Sequence, residues 1–129
     1  MSGAVIGSVR TWLRVEGFVV LAFAAGLYAA GDYSWILFAA LFFVPDVSFA
    51  GYLAGPRVGA VVYNAAHSYV GPAAVAVATL ASGATPELAL IWVAHVGFDR
   101  ALGYGLKYPS GFGDTHLGRI GRAQAEGKD

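Results

Sequence analysis

The chain has 129 residues, is 57% hydrophobic and only 12% charged, and its eight basic and eight acidic side chains cancel. A soluble domain carries about 25% charged residues, so a water-covered globule of this size lacks the polar surface it needs. Zero net charge excludes a nucleic-acid footprint, and the absence of cysteine removes disulfides, thiolate nucleophiles and cysteine-based metal sites.

A helix crosses the roughly 30 Å hydrocarbon core of a bilayer in about 20 predominantly apolar residues. Four stretches fit this length. The first runs over residues 12–30, "WLRVEGFVVLAFAAGLYAA", and Gly31 and Asp32 close it. A cleaved signal peptide is the competing reading of this stretch, since Arg10 and Arg14 precede its apolar run. Trp12 and Glu16 suit that reading poorly. The second stretch, 33–54, contains Pro45, which deprives the Leu41 carbonyl of its helical donor and predicts a kink. After Gly55, Pro56 and Arg57, the third stretch, 58–80, holds no permanent charge and reads as the cleanest span. "SGATPE" ends it, and the fourth covers 88–106.

All eight Lys and Arg fall at the N-terminus, in the connection between the second and third stretches, or from the end of the fourth stretch onward. Under the positive-inside rule both termini are cytoplasmic. Trp12, Tyr33, Trp35, Tyr52 and Tyr104 lie near the ends of the stretches, as in an aromatic belt, whereas Trp92 is deeper and reads as packing. Small residues four apart (Gly26 and Ala30, Gly51 and Gly55, Gly55 and Gly59, Gly97 and Ala101) allow close helix approach in lipid. The expected fold is therefore all-α: one domain over 1–129, a four-helix transmembrane bundle with a short irregular cytoplasmic tail from residue 107.

Ionisable residues are costly in such helices and mark function by default. At 1.5 Å per residue, counted from the cytoplasmic ends, Glu16 lies about 8 Å deep, Asp46 about 12 Å, His67 about 13 Å and Asp99 about 10 Å. His95 sits one turn above Asp99 on the same face. Four helices thus contribute polar groups to one slab. Asn64 and His67 share a line with Ala60 and Gly71 on the third.

Three kinds of chemistry fit this slab: a hydrogen-bonded network gluing the helices, a proton or small-solute pathway, or a divalent metal centre. For the metal, Zn or Fe, the expected ligands are Asp46, His67 and His95. Asp99 orients His95, and Glu16, Asp99 or His116 serves as acid or base. Asn64, Arg100, Tyr104 and Lys107 are the expected substrate contacts, the two cations facing an anionic headgroup. Too few histidines are present for a histidine-box desaturase. A di-iron site drawing also on Asp114 is a further arrangement that a four-helix bundle permits. The outer halves of the helices, such as "AAVAVATLA", offer no polar line to the far side, which disfavours a through-path in a monomer.

In the tail, Pro109, Gly111 and Gly113 rule out a continuous helix. Asp114, Thr115 and His116 form a polar triplet, read either as a solvated loop whose Lys107, Arg119 and Arg122 rest on headgroups or as a lid over the slab. Residues 123–129 read as disordered.

The blocks "RVEG" at 14–17, "PDVSFAGYLAGPRVG" at 45–59, "YNAAHSYVGP" at 63–72 and "HVGFDRALGYGLKYPSGFGDTHLG" at 95–118 resemble domain-of-unknown-function family 4260, a family of small bacterial membrane proteins. The resemblance spans almost the whole chain. It implies a compact helical protein of the bacterial inner membrane and lends no activity. The mixture of His, Asp and Ser in membrane helices is similar in kind to that of the alkaline ceramidase and adiponectin-receptor hydrolases, but those have seven helices and three clustered histidines. The function expected is a metal-dependent membrane enzyme, of hydrolase type, acting on a lipid or amphipathic substrate. The alternative is a non-enzymatic membrane protein whose polar layer is structural or conducts protons. Membrane lipids are the expected partners, nucleic acid is not, and a homo-oligomer is compatible with the small-residue faces.

Overall fold

The computed structural model describes residues 3–120; the expected disorder at 123–129 and the headgroup contact of Arg122 lie outside them. The fold is a helical bundle built from four helical stretches. The first is one long helix, α1 (Gly7–Ala30). The second is a short helix, α2 (Trp35–Leu41), followed by a 3-10 helix, Val44–Ala54. The third is a pair, α3 (Pro56–Ala66) and α4 (Val70–Ala81), and the fourth is α5 (Glu87–Leu102).

Two of these departures from continuous helix have their cause in proline. Ser34 caps α2 by accepting from the Leu37 N–H at 3.2 Å. Beyond Leu41 the missing Pro45 N–H breaks the α ladder, and the Asp46 N–H bonds the Phe43 carbonyl at 3.0 Å, three residues back. Eleven residues of 3-10 helix is long for so tight a form; with three residues per turn it aligns Asp46, Phe49 and Tyr52 on one edge. The third stretch was expected as one unbroken helix, and here the structure differs. Pro72 is accepted in the first turn of α4 but cannot continue α3, so the chain bends at residues 67–69 and His67 becomes the C-cap of α3.

The bundle is held mainly by α1 against α5. Gly17 and Gly97 meet at the crossing, so near that a Cβ on Gly97 would lie 2.8 Å from the Gly17 carbonyl. Only glycine permits this approach. Gly59 gives the same room to the Tyr52 ring, which brings α3 onto the 3-10 helix. Gly26, by contrast, faces open space. A Schellman motif at Gly103 (φ 93°) ends α5, with Gly103 N–H to Arg100 O at 3.0 Å and Tyr104 N–H to Asp99 O at 2.8 Å.

The tail is less irregular than expected. It folds back as a small hairpin, β1 (Asp114–Thr115) and β2 (Gly118–Arg119), and Lys107 bridges to Thr115. Leu117 and Thr115 are buried by it. Arg10 donates to the Leu117 carbonyl, and the Val5 N–H reaches the His116 carbonyl at 2.8 Å, stitching the chain's beginning to its tail.

The described cations gather at this end. Arg14 donates to the freed Ala101 carbonyl at 2.9 Å. The turn that carries Arg57 is drawn to the same end by Tyr52, whose ring lies 5.2 Å from that of Phe112. At the opposite end Tyr28 packs edge to face with Tyr33 and Phe38, and Trp35 packs tilted against Tyr28 and Phe38.

Two stretches, Gly7–Ala30 and Trp35–Ala54, are long and apolar enough to cross a membrane. Only 17% of the first and none of the second is buried within the protein. Leu53 (93% exposed), Ile36 (84%) and Phe23 (69%) point outward.

Candidate metal centre

Three helical stretches bring four donors together. Asp46 comes from the first turn of the 3-10 helix, His67 from the broken end of α3, and His95 and Asp99 from successive turns of α5. One ligand atom of each lies within 4.8 Å of all the others. Nε2 of His67 is 3.0 Å from Asp46 Oδ1, 3.1 Å from His95 Nε2 and 3.3 Å from Asp99 Oδ2. His95 Nε2 is 3.2 Å from Asp46 Oδ1 and 3.5 Å from Asp99 Oδ2. Both histidines are fully buried, whereas the Asp46 side chain keeps 30% of its exposure and marks the open side.

The His67 tautomer follows from its other nitrogen. Nδ1 lies 3.0 Å from the Tyr63 carbonyl, an acceptor only, so Nδ1 carries the proton and Nε2 presents a lone pair to the cluster. The Tyr63 ring also stacks on the His67 ring at 3.8 Å, nearly parallel, and Phe49 extends the stack. Phe42 holds the edge of His95. The His67 lone pair faces two carboxylate oxygens and the second imidazole nitrogen at 3.0–3.3 Å, a set that either a proton on His95 Nε2 or a cation holds together. Such a cluster can hold a metal ion.

Of the expected residues, the ligands Asp46, His67 and His95 do meet. Asp99, expected to orient His95 through its other ring nitrogen, instead faces Nε2 of both histidines and completes the donor set as a fourth member. The orienting acceptor that exists is the Tyr63 carbonyl, one turn before His67, a position the sequence reading passed over.

The remaining expected residues lie elsewhere. Glu16 and His116 line a separate cavity of about 160 Å³ with Tyr69 and Arg100. Arg100 is buried, donating from Nη2 to the freed His67 carbonyl at 2.6 Å and from Nη1 to Tyr104 O at 3.0 Å. Trp92 likewise donates to Ala66 O at 2.6 Å, so these two side chains cap the broken end of α3. Tyr104 contributes its carbonyl, and its side chain is exposed.

Asn64 pairs with the Lys107 backbone both ways, Nδ2 to O at 2.9 Å and N–H to Oδ1 at 2.6 Å, which ties the tail to α3. The Lys107 ammonium is buried over the rings of Phe112 (3.8 Å) and Tyr63 (4.8 Å). Burial pushes its pKa down to about 8, opposed by the negative charge of Asp99. Burial, then nearby Arg100, holds His116 below the usual histidine value, in keeping with the Leu106 N–H donating to its Nδ1 at 2.9 Å. Asp114 accepts from Ser110 Oγ at 2.7 Å and faces Arg119 at 3.4 Å, and Thr115 Oγ1 donates to Gly118 O at 2.5 Å. These last two hold the hairpin together.

Fold and donor set define a small, largely helical protein with a buried cluster of two histidines and two aspartates. The chain belongs to the family described as "Domain of unknown function (DUF4260)", whose model matches residues 10–120. A search among curated proteins and one among solved structures found no match.

Proposed function

We propose that the protein is a multi-pass membrane enzyme that uses one divalent metal, zinc in the first instance and iron(II) in the second, to hydrolyse an acyl bond in a lipid or amphipathic substrate. The observation that carries this reading is the set of donor separations. A tetrahedral ion with bonds of 2.0–2.2 Å has edges of about 3.3–3.6 Å. Five of the six separations are 3.0–3.5 Å and the sixth, between the two carboxylates, is within 4.8 Å, close to the edges that zinc needs.

A divalent ion held by these residues would supply Lewis acidity and lower the pKa of a bound water. Catalysis needs an open position, and Asp46 is the donor suited to yield one. It is the most exposed of the four and comes from a 3-10 segment, a tight and strained form. With a metal held by His67, His95 and Asp99, a freed Asp46 carboxylate would accept a proton from water and return it to the leaving group. Asp99, on the regular helix α5, stays as the fixed ligand. Glu16 and His116 lie in another cavity, which moves the acid–base role to Asp46.

Membrane residence is supported by the outward-facing apolar side chains of both long stretches. Cytoplasmic termini are supported by the cations gathered at one end. A fully retained four-donor set would instead be a structural site, since closed tetrahedral zinc is the structural pattern. The two readings part on one experiment: zinc-loaded protein in vesicles is assayed for release of acid from ester and amide lipids, with Asp46→Asn as comparison. Turnover that chelator removes and zinc restores, and that Asp46→Asn loses while keeping its metal, supports the enzyme. Bound metal with no turnover on any acyl lipid contradicts it.

A further inference from the structure

Beside the metal centre runs an apolar groove of about 340 Å³ between the 3-10 helix, the end of α3 and the start of α5. Its walls are sequence neighbours of the four donors, none of which lines the groove itself. Pro45 precedes Asp46, Ala66 precedes His67, and Ile91 and Trp92 lie one turn before His95 on the same side of α5. Leu88 lies at the far end, seven residues and so about 10 Å along the helix from His95. Ser48 lines this groove, and its Oγ is buried and has no hydrogen-bond partner among the described residues. A buried hydroxyl left unpaired is costly, and here it marks where a polar atom of a ligand would sit.

From this arrangement we infer that the groove seats the single hydrocarbon chain of an acyl amphiphile, with the carboxyl-level head at Ser48, two residues along the 3-10 helix from Asp46. This rests on the reading of the cluster as a metal enzyme and names its substrate class. The volume lies at the low end of small-molecule sites, which span roughly 300–1,000 Å³, and suits one chain rather than two. The lining follows the usual pattern of such sites, mostly apolar with few polar groups for orientation. Val44 and Leu88 are half exposed at the groove, so a chain can enter sideways from surrounding lipid without crossing water.

The test uses Trp92 as reporter. The chain has three tryptophans; with Trp12→Phe and Trp35→Phe only Trp92 remains. The full-length protein, in detergent and in nanodiscs, is titrated with fatty acids brominated in mid-chain, and metal content is measured on the same samples. Quenching that saturates with the mole fraction of brominated acid in the lipid or detergent is expected. Filling the groove with Val44→Phe or, at its inner end, Ala66→Leu should weaken it at least tenfold, and Ser48→Ala should weaken it less. Quenching that never saturates, or that is the same in both filled variants, overturns the inference, because Trp92 then meets only bulk lipid. Saturable, variant-sensitive quenching in protein that binds no metal upholds the chain site and sinks the metal enzyme. Unsaturable quenching in metal-bound protein does the reverse.

Discussion

The Nε2 atoms of His67 and His95 face one another at 3.1 Å, with no hydrogen available between them when both accept. His67 is held to this pose by its Nδ1 bond to the Tyr63 carbonyl and by the stacked Tyr63 ring. A metal competes with protons for such nitrogens, so metal affinity must fall in acid. Zinc binding is predicted to weaken steadily below about pH 6.5, the ordinary titration range of histidine. His67→Gln and His95→Gln are each predicted to lose stoichiometric binding, read by titration calorimetry against wild type.

The crossing of α1 and α5 positions half of the centre, since His95 and Asp99 flank Gly97. A side chain at Gly97 would press on the backbone of Gly17 and Leu21, and one at Gly17 on the Arg100 Cβ and the α5 backbone, none of which can swing away. Gly97→Val is predicted to cost at least the 1–3 kcal/mol typical of overpacking, lowering the thermal midpoint in detergent and the metal stoichiometry with it. Gly26→Val, which meets open space, is predicted to change neither. Equal losses in both variants would remove the special role of this crossing.

Much of the site was legible in the sequence because helical spacing and depth are properties of single stretches. His95 and Asp99 four apart, and Asp46, His67 and Asp99 at matching depth, were enough to put these groups together. What was not legible depends on contacts between stretches. Whether Asp99 would face Nδ1 or Nε2 of the histidines is decided by helix rotation, which no spacing reports. Arg100 looked free for a headgroup because the break in the third stretch was not foreseen; Pro72 was the available signal for that break, and with it for a carbonyl in need of a donor. Glu16 shares the slab's depth but lies round the helix from it. Hairpin pairing in so short a tail carries no alternating pattern to read.

His116 provides a pH dependence for the tail. Its pKa is depressed in the folded protein, so below about pH 6.5 the unfolded chain takes up the proton first and stability falls. Above that range the contribution is fully present. Protonation also removes the acceptor for the Leu106 N–H. Hydrogen exchange at Leu106 is predicted to accelerate between pH 6.5 and 5, ahead of exchange in α1 and α5, and His116→Gln is predicted to abolish the pH dependence. An exchange rate that follows only the intrinsic pH trend would contradict it.

Lys107 titrates in the opposite arm of the pH scale. With its folded pKa at about 8 and an ordinary lysine value of about 10.4, burial of the charged amine costs stability below pH 8. That cost is relieved as pH rises from about 8 to 10.4, because there only the unfolded chain keeps the proton. The chain has two lysines, so nitrogen NMR of labelled lysine resolves them. One signal is predicted to titrate near pH 8 and to move lower still when metal neutralises Asp99. Two signals titrating together above pH 10 would show the amine to be solvated.

The most direct measurement is metal analysis joined to X-ray absorption on protein purified in a non-chelating detergent. About one zinc or iron per chain is predicted, with first-sphere nitrogen and oxygen scatterers at about 2.0–2.2 Å and an imidazole signature that weakens in His95→Gln. Protein that carries no metal, takes up none from zinc or iron(II) solutions, and melts at the same temperature with and without chelator would contradict it, leaving the four side chains joined by shared protons alone.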